Sequence, residues 1–143
     1  MVNLIDIDPE HKVAAIVPVK EFKEDEFLIQ TTRKGQVKKT ALSAYSRPRR
    51  GGIIAMNILD DDSLVEAWIS DGDQEIIVAT KSGQAVRFHE NEVRATGRGS
   101  QGVRGISLSS DDSVIGMVVA DDSTELLTVC ELGYGKRTPV SDY

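Results

Sequence analysis

TTRKGQVKKT (residues 31–40), ATKSGQAVRF (79–88) and VCELGYGKRT (129–138) are three versions of one motif: a strand-like run, a glycine, and a second strand-like run. Gly35, Gly83 and Gly133 hold the same place in each, and the motif returns with a period of roughly 50 residues, the mark of a repeat architecture. A glycine between two strands supplies the positive φ that a tight hairpin needs. Outward from these motifs, GIIAMNI (52–58) and GVRGISL (102–108) open matching segments, and VNLIDI (2–7) is a third copy. DSLVEAWI (62–69) matches DSVIGMVV (112–119), with HKVAAIVP (11–18) a looser partner.

Read in order, the first repeat offers strands in VNLIDI, KVAAIVPV, EFLIQTT and GQVKKTAL; the second in GIIAMNI, SLVEAWIS, EIIVATK and GQAVRFHE; the third in GVRGISL, SVIGMVVA, ELLTVCE and YGKRTPV. Each is short, rich in Val, Ile or Thr, and bounded by Gly, Asp, Ser or Asn. No long stretch keeps the 3.6-residue period of a helix. The predicted fold is all-β, a propeller-like array of about three four-stranded blades, with repeats over approximately 1–51, 52–101 and 102–143. Closed propellers use more blades, so such an array leaves strand edges and apolar faces open and is expected to be part of a larger ring.

Apolar residues make up 40% of the chain and aromatics 5%, so Val, Ile, Leu and Ala must fill the core. The single cysteine, Cys130, excludes an internal disulfide, and its place in LLTVCEL (126–132) predicts a small buried hydrophobe. Nothing resembles a signal peptide and the apolar runs fall short of a membrane span, so a cytoplasmic protein is expected.

The net charge of −6 hides a segregation. Residues 33–50 contain seven bases (Arg33, Lys34, Lys38, Lys39, Arg47, Arg49, Arg50) and no acid; residues 51–80 contain seven acids and no base. Residues 81–104 carry Lys81, Arg87, Arg94, Arg98 and Arg104 against Glu90 and Glu92; residues 105–131 carry six acids and no base; Lys136 and Arg137 follow. Each basic block starts at a hairpin and runs into the next repeat. Lys39, Arg87 and Arg137 stand four residues after their glycines, in one predicted column. In a radial array such positions share a rim, and a basic rim binds a polyanion despite net negative charge. With no recognition helix and no row of aromatics, it would grip phosphates without reading bases. If half of these fourteen cations met phosphates, the log–log salt slope would be about −6, and bending the duplex would demand many contacts.

Other motifs lead nowhere. Gly97–Gly102 fits GxGxxG, but a dinucleotide site needs a helix after the turn, and here the strand-like GVRGISL follows. The acids in 60–63 and 110–113 lack calcium-loop spacing and read as solvated turns. His11 and His89 have no ligand-spaced partner, and neither a Ser-His-Asp nor a Cys-His arrangement can be assembled. Tyr45 and Tyr143 end the matching TALSAY and TPVSDY and read as packing positions, and Trp68 reads as core. No catalytic residue, metal or cofactor is expected.

VKKTALSAY (37–45), PRRGGIIAMNI (48–58), RATGRGSQGVRGISL (94–108) and LGYGKRTPVSDY (132–143) closely resemble segments of the C-terminal domain of DNA gyrase A, in the right order through nearly the whole chain. The corresponding domain of topoisomerase IV is similar but matches less tightly. The resemblance implies a β-pinwheel, a propeller variant whose blades exchange a strand, and a fragment covering about half of its six blades. It also implies wrapping of duplex DNA on a basic perimeter in support of negative supercoiling. The partners implied are duplex DNA, the rest of gyrase A and its companion protein gyrase B, in the bacterial cytoplasm at the nucleoid and away from membranes. The family's box, roughly QRRGGKG, has its nearest counterpart here in Arg49-Arg50-Gly51-Gly52, which lacks the glutamine and the second basic-glycine pair. This is expected to be the equivalent loop of an interior blade. The catalytic tyrosine and the ATPase site belong to other domains of that enzyme.

The expected phosphate track is Arg33, Lys34, Lys38, Lys39, Arg47, Arg49, Arg50, Lys81, Arg87, Arg94, Arg98, Arg104, Lys136 and Arg137, with Lys38, Lys39, Arg49, Arg50, Arg87 and Arg137 foremost. Reversing the charges of Lys39, Arg87 and Arg137 together is expected to weaken DNA binding. The alternative is a propeller-type protein-interaction module whose basic loops meet an acidic protein.

Overall fold

The three quoted motifs are the three antiparallel hairpins of the fold. The computed structural model describes residue 10 and residues 12–143. It contains β1 (Phe27–Thr32), β2 (Gln36–Ala41), β3 (Leu64–Ser70), β4 (Glu75–Thr80), β5 (Ala85–His89), β6 (Val103–Arg104), β7 (Val114–Ala120), β8 (Glu125–Val129) and β9 (Gly135–Pro139). Hairpins β1–β2, β4–β5 and β8–β9 turn on Gly35, Gly83 and Gly133, whose φ angles are 81°, 87° and 83°. Their registers coincide: Ile29 pairs with Lys39, Ile77 with Arg87, and Leu127 with Arg137.

The first two hairpins are completed by strands from further along the chain. The first sheet has the order β3-β1-β2-β6, the second β5-β4-β7, and the third β8-β9. β3 comes from the second repeat and β6 from the third, so the first sheet is built across repeat boundaries. This is the strand exchange that a pinwheel requires. A 3-10 turn follows each hairpin, over Leu42–Tyr45, Glu90–Glu92 and Val140–Asp142, and buries its first residue. Ile29 and Val37 of the first sheet and Ile76, Val78, Val114 and Met117 of the second meet with Val93 in a shared core.

Several strand expectations are corrected. Residues 12–19 and 52–58 form no strand, and GVRGISL supplies only Val103 and Arg104. β-propensity expresses itself only where a partner edge accepts the backbone; Val13 and Ile16 lie exposed without one. VNLIDI and His11 lie outside the described residues. Trp68 is 44% exposed: Val65 and Ala67 take the core face of β3, so the two-residue alternation turns Trp68 the other way. Its indole N–H then donates to the Met117 carbonyl at 3.1 Å. Cys130 is exposed, because it follows β8 in a sheet that no further described strand covers.

Candidate nucleic-acid interface

The column Lys39, Arg87, Arg137 is real, but it is a column of ion pairs. Arg87 Nε donates to Glu75 at 2.9 Å and Arg137 Nε to Glu125 at 2.9 Å, each to the same place on the facing strand. In the first hairpin that place is Phe27, and Lys39 Nζ stands 4.3 Å from its ring centroid. Lys39 finds its carboxylate in the 3-10 turn after the second hairpin instead, on Glu90 at 2.8 Å. Arg87 also reaches forward, to Asp122 at 2.9 Å and the Val140 carbonyl at 3.3 Å. The hydrogen bonds it donates to Asp122, and then to Glu75, raise its pKa further.

Lys38 and Lys39 are 0% and 5% exposed, which removes both from any phosphate track. Lys38 Nζ donates to the Ala55 carbonyl at 2.8 Å and to the Arg98 carbonyl. Burial, with the Arg98 charge adding, holds its pKa below the ordinary lysine range. Adjacent lysines in a strand point to opposite faces, so at least one ordinarily stands in solvent. Here the loops that close over β2 reverse that, and no local signal announces them.

The other cations divide in two. Arg33 donates to the Asp61 carbonyl at 3.0 Å, Lys34 pairs with the Asp61 carboxylate, and Arg98 leans on the Ile54 carbonyl at 3.5 Å. Arg47, Arg49, Arg50, Lys81, Arg94, Arg104 and Lys136 are exposed, and none forms an ion pair with another described residue. Arg47, Arg49 and Arg50 lie in the loop from the first 3-10 turn to β3; Arg94 lies in the corresponding loop from the second. Arg104 is on β6, the outermost strand of the first sheet.

Meanwhile the turn acids that sequence alone left in solvent prove structural. Asp62 accepts from the Lys34 and Ser63 amides at 2.9 and 2.8 Å. Its counterpart Asp112 accepts from the Ser82 amide, the Ser82 hydroxyl and the Ser113 amide at 2.9, 2.6 and 2.8 Å. They tie the turns before β3 and β7 to the hairpin of the preceding repeat. Hydrogen bonds, the Ser82 hydroxyl foremost, hold the Asp112 pKa down at about 2. The Asp-Ser spacing that recurs before SLVEAWIS and SVIGMVVA was the available clue.

The GxGxxG run ends in β6, not in a helix. Gly102 serves close packing: a Cβ there would stand 2.5 Å from the Val37 carbonyl oxygen, whereas one on Gly97 or Gly99 would meet nothing. His89 caps the second 3-10 turn, its Nδ1 accepting from the Asn91 amide at 3.2 Å. Tyr45 is half-buried and donates to the Ala55 carbonyl at 3.1 Å; burial raises its pKa. Tyr143 is exposed. No helix among the described residues is long and apolar enough to cross a membrane.

Glycine-turned antiparallel hairpins, the first two joined by strands from the repeats that follow, define a β-propeller of the strand-exchanging kind. The chain belongs to the DNA gyrase C-terminal domain family: the family model described as DNA gyrase C-terminal domain, beta-propeller, matches residues 26–67, 74–121 and 124–143. It is 42% identical over 143 residues to the DNA gyrase A protein of Salmonella typhimurium, a match covering all of this chain and 16% of that protein. It is 40% identical over 146 residues to the Staphylococcus aureus gyrase A protein, again with all of this chain and 16% of that protein. Among solved structures it superposes on the C-terminal domain of DNA topoisomerase IV with a TM-score of 0.91 at 26% identity, covering 99% of this chain and 45% of that one. For the DNA gyrase A C-terminal domain the TM-score is 0.82 at 29% identity, covering 94% and 45%.

Proposed function

We propose that the chain binds duplex DNA without sequence preference and bends it along the exposed cations. In this role it supports negative supercoiling by gyrase, together with the rest of gyrase A and with gyrase B, and carries out no catalytic step of its own. One observation carries the proposal: Arg47, Arg49, Arg50, Arg94 and Arg104 are exposed and free of ion pairs to other described residues, on two equivalent connecting loops and an outermost strand, while Asp62 and Asp112 are tied down in turns. Segregated in this way, the cations keep their attraction for phosphates despite the net charge of −6. With Lys81 and Lys136 they would release enough counterions for a log–log salt slope of about −6. Lys38 and Lys39 have no part in the track, and Arg87 and Arg137, already paired with carboxylates, stand outside it.

A salt titration comparing a short duplex with one several times longer tests this. The expected result is a steep salt slope and a clear gain in affinity on the long duplex. Length-independent weak binding, with saturable binding to an acidic protein, would instead identify an interaction module.

A further inference from the structure

Two basic loops, residues 46–58 and 93–102, have little regular structure of their own, and they meet over one point on the first sheet. The Asn57 amide donates to the Ser100 carbonyl at 3.1 Å, and the Thr96 amide donates to the Lys39 carbonyl at 2.9 Å. Beneath that meeting point lies Lys38. Its ammonium donates at 2.8 Å to the carbonyl of Ala55, in the first loop, and to the carbonyl of Arg98, in the second. The Tyr45 hydroxyl shares the Ala55 carbonyl. Gly102 comes so close that a Cβ on it would stand 3.0 Å from Lys38 Cβ.

We infer that Lys38 is a positioning residue for DNA binding, a buried cation that clamps the two arginine loops into one surface and never touches the DNA itself. The inference rests on the proposed DNA binding but makes a separate claim about the loops. A charge-assisted hydrogen bond to a carbonyl is roughly twice as strong as a neutral one, and one ammonium here makes two, one to each loop, beside the neutral Asn57–Ser100 bond that also joins them. Removing it leaves the Arg98 carbonyl short of a donor and the Ala55 carbonyl with the Tyr45 hydroxyl alone, and it loosens the loops about the remaining Asn57–Ser100 bond. Among the described hairpins the device belongs to the first. The position three residues after the hairpin glycine is Val86 in the second hairpin, which has no charge to offer. In the third it is Lys136, whose exposed side chain bonds to no described residue. A lysine in this column therefore acts as a clamp only where two loops cross over it.

The test is Lys38→Met, which keeps the stem and removes the ammonium, in the full chain. Trypsin cleavage after Arg49, Arg50 and Arg98, without DNA, is expected to speed up by about fivefold or more as the loops open locally. The salt slope on long duplex is expected to fall by about 2 or more; loss of a single direct phosphate contact removes only about 0.9. Unchanged cleavage rates overturn the clamp, as does a slope loss of one contact or less. If the wild type fails to bind duplex, the DNA proposal falls, while the cleavage arm still judges the clamp. Should Lys38→Met fail to fold, the wild type decides by nitrogen-15 NMR. A slowly exchanging Lys38 ammonium signal near neutral pH supports the clamp, and a rapidly exchanging one overturns it.

Discussion

Lys39 Nζ lies 2.8 Å from a Glu90 carboxylate oxygen, and the two side chains are 6% and 0% exposed. Glu90 completes its shell with the Ser70 hydroxyl and the Gln74 amide, both at 2.8 Å. The pair joins β2 of the first sheet to the 3-10 turn that ends the second hairpin. In the third hairpin the Glu90 position is Val140, whose carbonyl Arg87 approaches. Lys39 and Arg87 therefore reach forward to the same turn of the next blade, and these two lock neighbouring blades together.

Stripping one partner from a buried ion pair strands the other charge, at a cost of about 3–5 kcal/mol. Lys39→Ala is expected to lose that much in urea unfolding followed by circular dichroism. The double variant Lys39→Met, Glu90→Gln, which keeps an acceptor beside the Ser70 hydroxyl and the Gln74 amide, should recover most of it. A single-variant loss below about 1 kcal/mol would contradict the burial described. Charge reversal at Lys39 is for the same reason a stability experiment, unsuited to testing DNA binding.

Arg47→Ser, Arg49→Ser and Arg50→Ser combined should leave thermal stability nearly unchanged, since none of the three forms an ion pair with another described residue. In a salt titration the slope should flatten by about 2.7, close to 0.9 for each phosphate contact. Arg87→Ser is expected to do the opposite, loosening the join to Asp122 and Val140 with little effect on the slope. Interchanged results for the two variants would mean that the loops are not the DNA surface.

The Asp112 pKa, about 2 against an ordinary 3.8, sets the sign of an acid effect. A carboxylate depressed in the folded state contributes stability above its unfolded pKa, and that contribution is lost as pH falls through the folded value. Asp61, Asp71 and Asp121 shift in the same direction. Melting temperature should therefore drop on acidification from about pH 4 toward pH 2, and Asp112→Asn should show a shallower drop there. Coincident acid limbs for the two proteins would rule out the role given to Asp112.

Gly102→Ala should weaken the docking of the 102–105 segment on β2. The φ of 92° is strained for alanine, and its Cβ would press on the Val37 carbonyl oxygen, for a cost of about 1–3 kcal/mol. Gly97→Ala, in open space, should stay within about 0.5 kcal/mol of wild type. Amide hydrogen exchange at Gly105, whose N–H donates to the Gly35 carbonyl at 2.8 Å, gives a local readout. Equal protection in the two variants would show that Gly102 is not a packing glycine.

The sequence by itself determined the hairpins. Local alternation and a glycine that relieves a positive φ need no distant partner, so TTRKGQVKKT and its two copies could be placed, along with their common register and the all-β repeat. It also determined where charge lies along the chain. Which strands join a hairpin depends on edges offered by distant segments, as when Val37 pairs with Val103; the match of GVRGISL to GIIAMNI could not show that only Val103 and Arg104 would pair. Burial was decided the same way. Lys38 and Lys39 look like Lys136 and Arg137 in sequence, but Ala55, Arg98 and Glu90 close over the first two while the second two stand in water. A lysine's local neighbours do not fix whether its charge meets solvent, a carbonyl or a carboxylate. That depends on which distant backbone packs above it, and only the tertiary structure decided it.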